Sequence, residues 1–338
     1  MSREPQWRPG SGADATSRQA FPHREPMPYH LMLRTWDYAW WRPVIGVLLA
    51  VIAFFVGAAL VFYAVAASFA AVQGGSWDHD FARNLDVTRA GPVALLGLNL
   101  GIASMIPVTW LIMRFVHRMR PRWLASVAPK LRWRFLGLCL GLAIVALVTQ
   151  VLVGSLLPGG SESHLGHLNN LTASSVLSAV VVLLTTPLQA AGEEYLFRGY
   201  LLQAFGSFFG SRWVAIGATA TLFALAHGTQ NPPLFLDRFA FGLIAGWLVT
   251  RTGGLEAGIA LHVLNNFLAF GIALIFGDLG STLTVSEVSW WNIVLTVTQS
   301  GVYTALVLLL AARMRLHTHT QPPRDDPERA VGPAVAAA

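Results

Sequence analysis

Charged side chains are scarce in this chain. Asp, Glu, Lys and Arg make up 12% of its 338 residues, whereas hydrophobic residues make up 54%. A soluble protein of this length carries about twice that share of charge. The composition therefore excludes a soluble globular protein and predicts an integral membrane protein.

Several features that would define other functions are also missing. The single cysteine, Cys139, excludes an intrachain disulfide. The first 35 residues have no apolar core, so no secretory signal peptide is predicted. The sequence contains no phosphate-binding loop, no His-Glu-x-x-His zinc motif, no plausible serine triad and no internal repeat. With no soluble domain to carry it, nucleic-acid binding is not expected.

Long apolar runs dominate what remains. Eight of them are long enough to cross about 30 Å of hydrocarbon, which predicts an all-α, polytopic membrane protein. Pro187 is expected to kink the long fourth span, and the short fifth and sixth spans form a hairpin. The predicted spans are 44–72, 92–113, 135–157, 174–205, 211–228, 233–250, 255–276 and 290–312.

The chain is predicted to divide into four parts. Residues 1–35 form a disordered cytoplasmic segment, and residues 36–134 form a transmembrane hairpin with a basic cytoplasmic loop. Residues 135–313 form the intramembrane core, and residues 314–338 form a disordered cytoplasmic tail.

Positive charge predicts the orientation. Seven Lys and Arg lie in the 114–134 connection, six Arg precede residue 43 and four follow residue 312. The predicted connections 158–173, 229–232 and 277–288 carry none. Because basic connections stay in the cytoplasm, we expect a multi-pass cell-membrane protein with both termini cytoplasmic. Membrane lipids are its expected surroundings, and the basic loop could contact anionic headgroups.

Two adjacent acids, Glu193 and Glu194, interrupt the fourth span. One carboxylate at a helix centre costs about 2.5 kcal/mol or more, so an acid inside a membrane indicates a functional site. Glu194 and Arg198 are four residues apart, in the favourable order for an ion pair. Glu193 lies about 100° around the helix and would face elsewhere. The alternative interpretation is that both acids only join helices.

Two later spans carry further polar side chains. His227 lies in the fifth span, and His262 and Asn266 share a face of the seventh. Singly, each is compatible with an interhelical hydrogen bond; together they predict one site among the fourth, fifth and seventh spans. On a straight-helix count, Glu193 and His227 differ in depth by about 10 Å.

These residue types support hydrolysis of an amide bond. A Glu and a His can deprotonate water, and a second His with an amide can stabilise an oxyanion. Alternatively, Glu193, His227 and His262 would bind zinc with one position open for water. The residues leave both versions open.

The ordered motifs resemble those of the CAAX protease and bacteriocin-processing family (CPBP, also called Abi), which includes the type II CAAX prenyl proteases. The motifs are Glu193-Glu194-x-x-x-Arg198, Phe223-x-x-x-His227 and His262-x-x-x-Asn266. The resemblance covers roughly residues 135–312. It implies an all-helical intramembrane endopeptidase with membrane-associated protein or peptide substrates.

The resemblance also implies a role for each motif residue. Glu193 and His227 would activate water, and His262 and Asn266 would stabilise the oxyanion. Glu194 and Arg198 would support the site. Both metalloprotease and metal-independent glutamate mechanisms have been argued for the family, so the cofactor is either zinc or none.

Two other functions stay open beside the peptidase. Some relatives act as non-catalytic membrane scaffolds or regulators of the same fold. A transporter using the acids as proton relays is less favoured, because many transporters are built from repeats and no repeat is present. The Arg-, Ala- and Gly-rich composition indicates a bacterial protein, in which prenylated substrates are not expected.

Overall fold

The computed structural model describes residues 22–23, 25–157 and 168–321, and its regular elements within these ranges are all helices. Short 3₁₀ turns cover Tyr29–Leu31 and Pro121–Leu124. The longer elements are α1 (Trp41–Ala70), α2 (Trp77–Leu85), α3 (Pro92–Phe115), α4 (Trp133–Leu156), α5 (Ala173–Phe209), α6 (Arg212–Leu225), α7 (Pro232–Thr252), α8 (Glu256–Phe276), α9 (Leu279–Leu283) and α10 (Trp291–Arg313).

Seven helices within the described ranges, α1, α3, α4, α5, α7, α8 and α10, are long and apolar enough to span a membrane. The predicted all-α, polytopic architecture is therefore confirmed. The fifth predicted span, 211–228, corresponds to α6, which has only 14 residues. At 1.5 Å per residue it is about 21 Å long, shorter than the hydrocarbon thickness.

Both ends of the described chain lie on the same face of the molecule. Pro28 and His319 form an isolated antiparallel bridge, and the Thr320 amide donates to the Met27 carbonyl at 2.9 Å. A membrane-spanning chain whose ends meet must cross an even number of times. The seven longer helices and the short apolar helix α6 would together give such an even number.

Residues 25–35 and 314–321 belong to the segments predicted to be disordered, and in the structure they pack against the helices. Tyr29, Met32 and Leu33 are at most 1% exposed, and the Tyr29 hydroxyl donates to the Leu124 carbonyl. A few apolar side chains in a polar stretch suffice to dock it onto the helices. The rest of the predicted disorder, at residues 1–21 and 322–338, lies outside the described residues.

Small residues let the helices that carry the polar motifs approach closely. A Cβ on Gly192 of α5 would lie 2.5 Å from the Ile102 carbonyl oxygen of α3. A Cβ on Gly242 of α7 would lie 2.8 Å from Cα of Ala220 in α6. Such contacts are typical of helix packing in membranes, where small residues let backbones approach closely and van der Waals packing drives association.

The long helix α5 changes its winding at the acid pair. It is α-helical over Ala173–Glu193, π-helical over Glu194–Leu201 and α-helical again over Leu202–Phe209. π-Helical turns are rare in proteins, and those that do occur are often at functional sites. In this helix the wider turns begin at Glu194.

Candidate active site

Glu193 and Glu194 are both buried where α5 packs against α8. Glu193 is 7% exposed and Glu194 is fully buried. The imidazole of His262 lies between them, with Nδ1 2.9 Å from Oε1 of Glu194 and Nε2 3.5 Å from Oε2 of Glu193. One ring on α8 therefore contacts two adjacent carboxylates on α5.

Arg198 and Glu194 form the predicted ion pair inside the bundle. Nη1 of Arg198 donates to Oε1 of Glu194 at 3.0 Å, and both side chains are fully buried. The guanidinium carbon lies 4.1 Å from the ring centroid of Phe223, within the range of a cation–π contact. Removing one member of such a buried pair costs about 3–5 kcal/mol, because the other charge is left unpaired.

Glu193 has one occupied and one unpartnered oxygen. Oε1 accepts a hydrogen bond from Nε2 of Gln189 at 2.6 Å. Oε2 is buried and has no hydrogen-bond partner among the described residues, since its contact with His262 is not a hydrogen bond. Buried polar atoms are normally paired, so this oxygen is an acceptor for which the described residues supply no donor.

Gln189 is a site residue that the sequence analysis missed. It donates to Glu193 and accepts a 2.8 Å hydrogen bond from Nδ2 of Asn266. Asn266 is therefore linked to the acid through Gln189. The four-residue spacing between Gln189 and Glu193 was the available sequence pattern, because residues at this spacing are neighbours on a helix.

His227 follows the end of α6 and is exposed. Its Nδ1 lies 2.8 Å from the Phe223 carbonyl. A proton assigned to Nδ1 donates to that carbonyl and leaves Nε2 as an acceptor. The Phe223 ring packs against both histidines, 4.7 Å from His227 and 5.9 Å from His262 between centroids. Glu193 is among the charged groups that act electrostatically on His227.

Arg238 adds a positive charge that the sequence analysis did not assign to the site. Its Nη1 donates to Oε1 of Gln230 at 2.9 Å, and Gln230 is held by the Ala224 carbonyl at 2.6 Å. Arg238 interacts electrostatically with both Glu193 and His227. The loop after α6 thus orients a cation beside the two motif residues.

Glu193, His227 and His262 are the zinc set expected from the sequence, and they are not gathered into a three-ligand group among the described residues. Within the described ranges, no group of three His, Cys, Asp or Glu side chains is arranged to hold a metal ion. Both ring nitrogens of His262 already face carboxylates, and Nδ1 of His227 faces its own helix.

The fold and these contacts define a multi-pass helical membrane protein with a buried Glu-His-Arg site. Residues 173–268 match the family model described as type II CAAX prenyl endopeptidase, Rce1-like. This match contains all three motifs and confirms the resemblance seen in the sequence.

One curated relative also matches. The chain is 25% identical over 215 residues to the uncharacterized protein YyaK of Bacillus subtilis (strain 168). The alignment covers 60% of this chain and 71% of that protein. No solved structure matches the chain.

Proposed function

We propose that this protein is a CAAX-type intramembrane endopeptidase that hydrolyses peptide bonds in membrane-associated proteins or peptides. The observation that carries the proposal is the buried, unpartnered Oε2 of Glu193, beside His262 and within electrostatic reach of His227. The match to the endopeptidase family model supports the same activity.

The arrangement performs hydrolysis as general acid–base chemistry. Oε2 of Glu193 accepts a proton from water, and Nε2 of His227 accepts the second hydrogen bond that holds this water. The water oxygen attacks the substrate carbonyl carbon. Protonated Glu193 then returns its proton to the leaving amine, so the two products are a carboxylate and an amine.

The remaining motif residues stabilise charge and hold geometry. The His262 imidazole and Nδ2–H of Asn266 are the groups that stabilise the developing oxyanion. Glu194 accepts from Nδ1 of His262 and fixes the ring, and Arg198 compensates the charge of Glu194. Glu194 and Arg198 are therefore positioning residues.

The supporting geometry favours the metal-free version over the zinc version. No step above passes through a metal, because the donor set of the described residues does not assemble three ligands. We expect that addition of a chelator leaves cleavage unchanged.

The test compares Glu193→Gln with wild type on a quenched fluorescent peptide library, using the full chain purified in detergent. Glu193→Gln keeps the shape but removes the base, so kcat/KM should fall by about 10²–10⁴-fold. Glu25→Gln is the matched control, because Glu25 is exposed and lies near the bridge between Pro28 and His319, away from the motifs. Its cleavage should equal that of wild type.

Thermal unfolding of both variants checks that each is folded. Equal cleavage by Glu193→Gln and wild type would contradict the assignment of Glu193. If cleavage is absent throughout and Glu193→Gln retains the biological function in cells, the scaffold or regulator function is correct instead.

A further inference from the structure

The structure gathers the basic segments of the chain on one face, which we call the basic face. The 114–134 segment, with its seven Lys and Arg, lies there. It contacts the end of α7 through a 2.9 Å hydrogen bond from the Val127 amide to the Gly253 carbonyl. Tyr29, near the bridge between Pro28 and His319, donates to Leu124 of the same segment. By the positive-inside rule the basic face is cytoplasmic.

The site is closed toward the basic face. From Glu194 onward α5 runs to that face through Arg198, Tyr200, Leu202 and Gln203, all fully buried. Gln203 then donates to the Trp123 carbonyl of the basic segment at 3.1 Å. Several layers of packed side chains therefore separate Glu193 from the cytoplasmic side. A peptide could reach the acid from there only by unpacking them.

The opposite face offers a polar route. Because α5 ends at the basic face, where the Ser207 carbonyl accepts from Arg34 at 2.8 Å, α6 runs away from that face. His227 lies at the far end of α6 and is exposed. Gln230 and Arg238 are only partly buried beside it. Neutral polar groups, the cation Arg238 and the half-buried acid Asp237 next to it therefore lie on this side of the site.

We propose that the site takes its substrate from the face opposite the basic face. Its substrates are then peptide segments exposed at the outer surface of the cell membrane. That the incoming peptide is a substrate rests on the proposed function. The direction of access rests on packing and charge alone.

Single added cysteines test the direction of access in intact cells. Thr229→Cys lies in the exposed loop beside His227, and Lys130→Cys lies on the basic face; both positions are exposed. The wild type is the background control, because its one thiol, on Cys139, is fully buried. A membrane-impermeant maleimide should label Thr229→Cys in intact cells and Lys130→Cys only after permeabilisation. Labelling after denaturation measures the amount of each protein.

A second set of measurements connects the route to the site. We expect the reagent to reach His227→Cys from outside the intact cell. In purified protein, a bulky maleimide on Thr229→Cys should lower cleavage at least tenfold, and the same group on Lys130→Cys should not.

Labelling of Lys130→Cys in intact cells, with Thr229→Cys labelled only after permeabilisation, would overturn the proposal, because the orientation would be inverted. External labelling of Thr229→Cys with His227→Cys reactive only from the cytoplasmic side would also overturn it. Labelling does not require catalysis, so loss of the peptidase function leaves these outcomes readable. Correct labelling without any cleavage would count against the proposed function only.

Discussion

Single residues decide the chemistry of this site, and Gln189 shows how. It is 6% exposed and bonds both the acid Glu193 and the amide Asn266. Through it, one side chain sets the positions of a proposed base and a proposed oxyanion donor.

Gln189→Leu should lower kcat/KM by about 10–100-fold, because small misplacements of reacting groups cost up to about 10²-fold. Gln299→Leu is the matched control, since Gln299 is 2% exposed and donates to Asn265, the neighbour of Asn266, at 2.7 Å. Gln189→Leu loses two buried hydrogen bonds and Gln299→Leu loses one, so both variants should lower Tm, and Gln189→Leu should lower it more. Equal losses of cleavage in the two variants would show that Gln189 acts only through stability.

Two buried histidines near the basic face predict a pH dependence of stability. Burial, followed by the charge of Arg42, lowers the pKa of His117 from 6.5 to about 4. Burial, followed by the charges of Arg212 and Arg34, lowers the pKa of His30 to about 4 as well. Because the unfolded chain takes up these protons first, stability is full above pH 6.5 and is lost as the pH falls toward 4.

The slope should reach about 1.4 kcal/mol per pH unit for each histidine. Thermal unfolding at pH 7 and pH 5 measures it, and His117→Gln should flatten the dependence. An unchanged slope in that variant would contradict the role of His117.

The sequence predicted partners within one helix better than partners between helices. Glu194 and Arg198 pair as their four-residue spacing indicates. The contact of His262 with both acids was not predictable, because it depends on the rotation of α8 against α5. That rotation is set by packing between distant segments and not by local spacing.

Elements are held in place by close backbone contacts, and Gly192 is the clearest case. Gly192→Ala would place its Cβ 2.5 Å from the Ile102 carbonyl oxygen. Because that atom is backbone, α3 and α5 must separate, at a cost of about 1–3 kcal/mol. Since Gly192 precedes the acid pair, cleavage should fall together with Tm.

Gly141→Ala is the control on another spanning helix, because its Cβ would meet nothing within 4 Å. It should be neutral or stabilising by up to about 1 kcal/mol, as expected for Gly to Ala inside a helix. Equal Tm values for Gly192→Ala and wild type would show that α3 and α5 can yield.

The apolar runs in the sequence predicted most helix boundaries, and the boundaries that differ have local structural causes. The third predicted span, 135–157, matches Trp133–Leu156 closely. The fifth ends early at Leu225, because Gly228 takes a positive φ of 77° and the chain turns there. Helices frequently end near a glycine with positive φ. The apolar run that predicted this span continues past Leu225, so the span was predicted too long.

The whole molecule closes on itself where its two described ends meet. The double variant Pro28→Cys/His319→Cys should form a disulfide under mild oxidation, since residues paired in an antiparallel bridge have Cα atoms about 4.5–5.5 Å apart. Pro28→Cys/Asp278→Cys is the control, because Asp278 follows the far end of α8. Mobility on non-reducing gels, with and without protease cleavage between the cysteines, measures the bond. Disulfide formation in the control pair alone would contradict the common face.

This closure was not predictable from composition. The polar, Arg- and Pro-containing stretch before α1 predicted disorder, yet Tyr29, Met32 and Leu33 dock it onto the bundle. Composition averages over a window, whereas docking depends on a few side chains that find a complementary surface.

The π-helical stretch of α5 fixes the phase between its two halves. Deleting one residue within Glu194–Leu201 would change the winding of this π-helical stretch and so shift the residues beyond it relative to those before it. Gln203 would then turn away from the Trp123 carbonyl, and Ser207 from Arg34. Substitutions in this stretch alter one contact at a time, but a change of length alters all of them at once. Related proteins that keep this architecture should therefore differ in this stretch by substitutions and not by insertions or deletions.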